Sequence, residues 1–228
     1  MRNVRLFFMV TVLLASLSGI TTLSISEAQV FPKTVPEHAT TNNEYDGSSL
    51  LNIPLIWKPT ETISALDAID LTAFQNISFT INPFNDLRKK TAEIGKNVEK
   101  RTSDRIRYVT TRDNVAAWLT DRFGKILSEF DLTVVKDKGN LLLDADIVKL
   151  YVTEESVYKA DIGLKVRIRL KNGDMLWEGM VAVSSKRWGS SYKAENYYEA
   201  LSNACIDVVY NLLKSESFLA AMRKNKSN

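Results

Sequence analysis

Between Tyr158 and Ser185 the chain alternates so regularly that an antiparallel β-hairpin is the element everything else must accommodate. Ala160, Ile162, Leu164, Val166, Ile168 and Leu170 take every second position, with Lys159, Asp161, Lys165, Arg167 and Arg169 between them. A period of two gives a strand one apolar and one polar face. Asn172-Gly173 stands between the two runs, and a type I′ turn needs positive φ at both of its central residues, which Asn and Gly tolerate. With those two residues as the loop, Leu170 faces Met175, Ile168 faces Trp177, Leu164 faces Val181 and Ile162 faces Val183. On the polar face Arg167 meets Glu178, an opposite-charge pair worth roughly 0.2–1 kcal/mol.

The apolar face of such a hairpin needs a cover, and two segments have the period to supply it. From Thr111 to Phe130, the residues Val115, Trp118, Leu119, Phe123, Ile126, Leu127 and Phe130 form the stripe of a helix lying on a sheet. Thr110 or Thr111 can cap it, with Asp113 in its first turn. A second stripe, Ala194, Tyr197/Tyr198, Leu201, Cys205, Val208 and Leu212, predicts a helix over residues 194–214, followed by a helical turn over 217–222. Further strands are expected at 51–57, 75–84, 106–110, 132–135 and 141–152, and Asp86–Arg107 reads as a long exposed loop. The expected class is α+β, a mostly antiparallel sheet with two main helices packed on one face and a polar other face.

Ahead of this domain, Arg2 and Arg5 precede a short apolar run over residues 6–17, and Ser26-Glu27-Ala28 offers small residues for signal-peptidase cleavage after Ala28. Residues 1–28 therefore read as an export signal, 29–50 as a Pro-, Thr- and Asn-rich flexible leader, 51–224 as one domain and 225–228 as a tail. No charge falls between Arg5 and Glu27, so residues 6–25 could instead remain as an inner-membrane anchor. No cysteine lies near the cleavage point, which excludes a lipid anchor there. Cys205 is the single cysteine of the chain, so an intramolecular disulfide is impossible and a bacterial periplasm suits it better than a disulfide-dependent extracellular setting.

The side chains offer little for catalysis. His38, the single histidine, sits in the leader, outside any Ser-His-Asp, Cys-His or histidine-zinc arrangement within the domain. Asp144 and Asp146 share a strand face, with Glu154 and Glu155 at the strand's end; they read as a solvated face opposite Leu143, Ala145 and Ile147. Cys205 falls on a buried helical stripe and reads as a small apolar residue. No Gly-rich phosphate loop is present. A net charge of +3 with both signs interspersed gives no electrostatic footprint for nucleic acid, and Lys165, Arg167, Arg169 and Lys171 lack exposed aromatics on which bases could stack. No catalytic, cofactor or metal residue is expected. Arg187-Trp188-Gly189-Ser190-Ser191-Tyr192, between strand and helix, places aromatic rings beside an arginine, the combination that contact surfaces favour.

One series of short motifs matches a known pattern. Ile81-Asn-Pro-Phe-Asn-Asp-Leu-Arg88, Ile94-Gly95, Trp118-Leu119, Leu143-Asp-Ala-Asp-Ile147, Gly173-Asp-Met-Leu-Trp177 and Ala200-Leu-Ser-Asn-Ala204 follow in order over residues 75–222. This series resembles the YajG-like family of bacterial envelope lipoproteins. The resemblance implies a compact α+β domain similar to the amino-terminal domain of TolB and to accessory lipoproteins of envelope transporters, and it implies no catalytic residues. The family's anchoring cysteine is missing here.

The expected function is a non-enzymatic periplasmic accessory or scaffold acting by protein–protein contact in an envelope complex, without nucleic acid. Membrane contact is expected only through an uncleaved N-terminus. The expected contact residues are Phe84, Asp86 and Arg88 in the 84–95 loop and Arg187, Trp188 and Tyr192 at the corner. The alternative is a binding module holding a small or lipid ligand between helices and sheet.

Overall fold

The structure is a computed structural model that describes residues 50–66, 69–98, 106–189 and 191–226. The expected signal, its cleavage point at Ala28 and the leader up to residue 49 lie outside them. Among these residues eight strands and three α-helices make an α+β domain: β1 (Ser78–Ile81), β2 (Asn85–Asp86), β3 (Glu93–Asn97), β4 (Arg107–Thr110), α1 (Val115–Glu129), β5 (Thr133–Val134), β6 (Leu141–Glu154), β7 (Val157–Leu170), β8 (Met175–Trp188), α2 (Ala194–Lys214) and α3 (Glu216–Lys226).

Three long strands, β6, β7 and β8, form an antiparallel meander. The other side of β6 is shared along its length by β1, β2 and β3, each parallel to it. β5 then extends β1, and β4 extends β3. The region expected to be one long exposed loop thus holds two strands on the central strand's flank. β3 is only five residues long and reads Glu-Ile-Gly-Lys-Asn, too short and too polar for a period to stand out.

The hairpin's register is as its alternation demands at Ile168–Trp177, Leu164–Val181, Ile162–Val183 and Arg167–Glu178. Its turn is different. Gly173 alone has positive φ, at 94°, and Asn172 does not. Gly173 N donates to Leu170 O and Leu170 N to Asp174 O, each at 2.9 Å. This is a three-residue loop with glycine in the left-handed position, and it shifts the register so that Met175 faces Arg169 in place of Leu170. The shift costs nothing inside the domain, because Met175 is exposed.

Asn114, and neither Thr110 nor Thr111, caps α1, its Oδ1 accepting from Ala117 N at 2.9 Å. Asp113 lies before the first turn and accepts from Leu55 N at 2.7 Å. That bond belongs to an extended segment, residues 50–58, where a strand was expected. Leu50 makes an isolated parallel bridge to Val109. The rest of the segment is held by single donations, such as Lys58 N to Ser202 Oγ at 2.9 Å. Leu50, Ile53 and Leu55 are buried, so the last residue assigned to the leader belongs to the core. The second expected helix is observed over its full length, and the expected final turn is the longer helix α3.

Helices α1 and α2 cover the inward face of the sheet. Leu119, Phe123, Ile126 and Leu127 from α1, and Leu201, Cys205, Val208 and Leu212 from α2, pack with Leu141, Leu143, Ala145, Ile147, Leu164 and Val166 in one continuous core. These side chains are buried together between the helices and the long strands. Cys205 is buried and burial pushes its thiol pKa up, which suits the expected apolar role.

Candidate contact site at the strand–helix corner

Strand β6 reverses its faces halfway along. Leu141, Leu143, Ala145 and Ile147 point inward, the pairing with β7 shifts between Ile147 and Lys149, and thereafter Leu150, Val152 and Glu154 are the buried residues. A β-bulge inserts one residue and so inverts the parity of everything after it. Asp144 and Asp146 consequently face outward while Glu154, eight residues further on, faces in. Glu154 is fully buried.

Three donors meet its carboxyl group. Tyr158 OH and Tyr192 N donate to Oε1, both at 2.7 Å, and Tyr197 OH donates to Oε2 at 2.9 Å. Tyr158 OH in turn accepts from Asn196 Nδ2 at 3.0 Å and Ser191 N at 3.2 Å. Burial, reinforced by the Glu154 carboxyl, pushes the pKa of Tyr158 and of Tyr197 up, so both hydroxyls stay protonated as donors. The rings of Tyr158 and Tyr192 both pack edge-on against Tyr197, with centroids 5.3 and 6.5 Å away. A fully connected buried polar network of this kind fixes geometry more than it adds net stability.

What it fixes is the corner from β8 into α2. Gly189 has φ 143°, and a Cβ there would meet Arg187 Nη1 at 3.0 Å and the Tyr158 ring at 3.3 Å. Tyr192 has φ 41°, a left-handed conformation that costs a non-glycine residue about 1–2 kcal/mol and that aims its N–H at Glu154. Its ring is buried, with the Arg107 guanidinium stacked over it at 3.8 Å, and its hydroxyl accepts from Leu50 N at 3.2 Å. Arg187 pairs with Glu199 and donates to Trp188 O at 2.9 Å.

Held from beneath in this way, Trp188 points into solvent. It is 85% exposed, more than any other large apolar residue described. Of the three corner residues expected at a contact surface, Trp188 is therefore fully available. Arg187 is partly so, with a side chain 25% exposed. Tyr192 is interior and acts as a strut. The other expected patch is built differently. Phe84 is buried edge-on against Phe123, 5.3 Å between centroids. Arg88 pairs with Asp86 at 2.7 Å and donates to the carbonyls of Thr91, Glu93 and Leu150 at 2.6, 3.0 and 3.1 Å. These residues fasten the loop to β6 and α1, and between them Asn85 and Leu87 are exposed, Leu87 at 62%.

The outward carboxylates are paired by arginine. Arg167 grips Asp146 with two bonds of 2.6 and 3.0 Å, and Arg169 holds Asp144 through Nε and Nη2 at 2.9 and 2.7 Å. Asn85 and Asn82 complete the two carboxylates at 3.0 and 2.8 Å. The Arg167 fork holds the Asp146 carboxyl below the usual carboxylate range. Glu178 pairs with Lys165 at 3.1 Å, so the ion pair expected between Arg167 and Glu178 is redirected although their register is right. Each of the two carboxylates thus accepts three hydrogen bonds from within the sheet. Among the described residues no group of His, Cys, Asp and Glu is placed to hold a metal ion. The surface also carries an open groove of about 560 Å³ between α1 and β5, lined by Ile81, Gly124 and Val134 with Asp121, Lys125 and Lys136 at its rim. No helix among the described residues is long and apolar enough to cross a membrane.

Glu154, expected with Asp144 and Asp146 on a solvated strand face, is instead buried. The signals were present: three tyrosines, Tyr158, Tyr192 and Tyr197, within reach of one strand end. The bulge that turns Glu154 inward has no residue signature, since Val148 and Lys149 suit either face.

No protein-family model matches the chain, and no curated protein matches it. Solved structures do. The fold is that of protein XCC0632 from Xanthomonas campestris, of the DUF330 family, with a TM-score of 0.50 and 12% identity over 69% of this chain and 93% of that one. An uncharacterised protein is similar at a TM-score of 0.43, 7% identical over 73% and 97% of the two chains. A putative lipoprotein from Caulobacter crescentus is 14% identical over 46% of this chain and 83% of its own, with a TM-score of 0.32. At 12% identity the likeness to the Xanthomonas protein is one of fold.

Proposed function

We propose that this is a non-enzymatic accessory or scaffold protein of the bacterial envelope, exported to the periplasm, that works by binding another protein through the Trp188 corner. The observation that carries the reading is an 85% exposed tryptophan on a backbone held in place by a buried network. Tryptophan and arginine are enriched at interface hot spots, and a side chain whose backbone is already ordered loses little entropy on binding. The envelope assignment rests on the charged start, apolar run and small residues of positions 1–28 and on the motif series that resembles the YajG-like family. The paired aspartates and the buried thiol support a role without catalysis.

The test is affinity capture from envelope membranes with the wild-type protein and with Trp188→Ala. Loss of one or more specific partners from the variant, with thermal stability unchanged, is the expected outcome. Recovery of the same partners in the same yield would remove the corner from the contact surface.

A further inference from the structure

A different part of the molecule, the free edge of β8, carries an inference independent of the Trp188 reading. β8 pairs with β7 alone, and among the described residues no strand covers its other side. It runs for fourteen residues, Met175–Trp188, without a proline. Long open edges invite pairing with another chain, and proteins usually blunt them with prolines, bulges, short strands or charged side chains; β8 carries Glu178 and Lys186, which oppose pairing only where like charges would meet. Here the one irregularity lies at the Met175 end.

The direction of the free backbone groups follows from the turn. Leu170 N and O both bond towards β8, so with period two the groups of Ile168, Val166, Leu164 and Ile162 do the same, bonding Trp177, Gly179, Val181 and Val183. Glu178, Met180, Ala182, Ser184 and Lys186 therefore aim their N–H and C=O groups at the open edge. The same five side chains are exposed on the outer face of the sheet. Asn211 Nδ2, 3.5 Å from Ala182 O, agrees with that direction and is too long a bond to hold the edge shut.

We infer that β8 pairs antiparallel with β8 of a second copy about a two-fold axis at Ala182, joining two sheets into one. Pairing must match edge-directed residues with edge-directed residues, which leaves registers two residues apart. Centring on Ala182 sets Glu178 opposite Lys186 of the other copy, and Lys186 opposite Glu178, so one register satisfies two charge pairs at once. It also sets Met180 opposite Ser184. Sliding the other strand by two residues either way puts Glu178 opposite Ser184 or Trp188 and loses both pairs. Lys186 makes no ion pair within the described residues, whereas Glu178 shares Lys165; the second copy supplies what Lys186 lacks. A self-complementary patch of this kind is what a two-fold dimer requires, and the paired stretch exchanges roughly ten backbone hydrogen bonds.

Sedimentation velocity of the purified protein over about 1–100 µM tests this, because dimer mass responds to concentration. The wild type is expected to show a monomer–dimer equilibrium. Lys186→Glu and Glu178→Lys should each raise the dissociation constant at least about tenfold through like-charge pairs, and the double exchange E178K/K186E should restore it to within about threefold. Ala182→Pro removes an N–H that β7 does not use, so it should give a monomer with unchanged far-UV circular dichroism. A wild type that stays monomeric throughout overturns the inference, as does a dimer indifferent to all four variants. Neither result bears on whether Trp188→Ala loses a partner in envelope extracts.

Discussion

Strand β6 carries two acidic sites that the chain treats in opposite ways. Asp144 and Asp146 lie on the outer face, each gripped by an arginine and an asparagine. Glu154 lies inside, satisfied by two tyrosine hydroxyls and one backbone N–H. All three occupy even positions of one strand, and what separates them is the single bulged residue between Ile147 and Lys149. The outer pair is spread along the sheet's outer face, Asp144 partly exposed and Asp146 buried beneath its arginine, where a solvated face was expected. The inner site is a hub that ties the end of β6, the start of β7, the corner and the first turn of α2 together. The same residue chemistry gives a ladder of ion pairs on the outer face in one place and a positioning device in the other, and the partners, arginine outside and tyrosine inside, decide which.

The sharpest way to break that contrast is to remove the inner carboxyl. Glu154→Ala leaves three buried donors without an acceptor, at about 1–3 kcal/mol each if none finds a new partner. A loss of about 3–5 kcal/mol is expected in denaturant unfolding, after allowing for relaxation. Asp146→Ala should cost less, about 1–2 kcal/mol, because the Arg167 guanidinium it abandons is partly exposed and can turn to water. A result in which the outer substitution is the costlier would invert the comparison.

Asp207 of α2 tests the intermediate case. It accepts from the Ser185 hydroxyl, pairs with no arginine among the described residues, and sits partly buried with Glu61 contributing repulsion; burial first, then that charge, pushes its pKa up to about 6. A raised carboxyl pKa means the folded state binds the proton more tightly than the unfolded chain. The cost of the charge is thus present in full above pH 6 and vanishes below about pH 4, where both states are protonated. Asp207→Asn should therefore stabilise the protein at pH 7–8, on the order of 1 kcal/mol after allowance for solvent, and change nothing at pH 4. Thermal melts of the two proteins across that range provide the check. Trp188→Ala, touching no part of either site, should move stability by no more than about 0.5 kcal/mol.

The long-period parts of this fold are legible in the sequence and the short ones are not. Fourteen residues of alternation specify β7 and β8, and a 21-residue stripe specifies α2, because each repeats its period several times. β2 and β5 have two residues each and β3 has five; their strand character comes from the neighbour each pairs with, β6 for β2 and β3 and β1 for β5, not from their own pattern. The turn at Asn172-Gly173 shows the same limit in miniature, since the dipeptide marks a turn but its φ values select the type. At the candidate site, Arg187 and Trp188 are conspicuous by composition. Phe84 and Arg88 are equally conspicuous, yet they serve the interior, and no sequence pattern separates an arginine that binds a partner from one that holds a loop.

The central claim is that the buried hub presents Trp188 to another protein. Placing a photo-cross-linking amino acid at position 188 in cells, with position 136 on the exposed end of the α1–β5 groove as a control, tests it most directly. A discrete adduct with a different protein is expected at 188 and none at 136. No adduct at 188, or the same adducts at both positions, would contradict it.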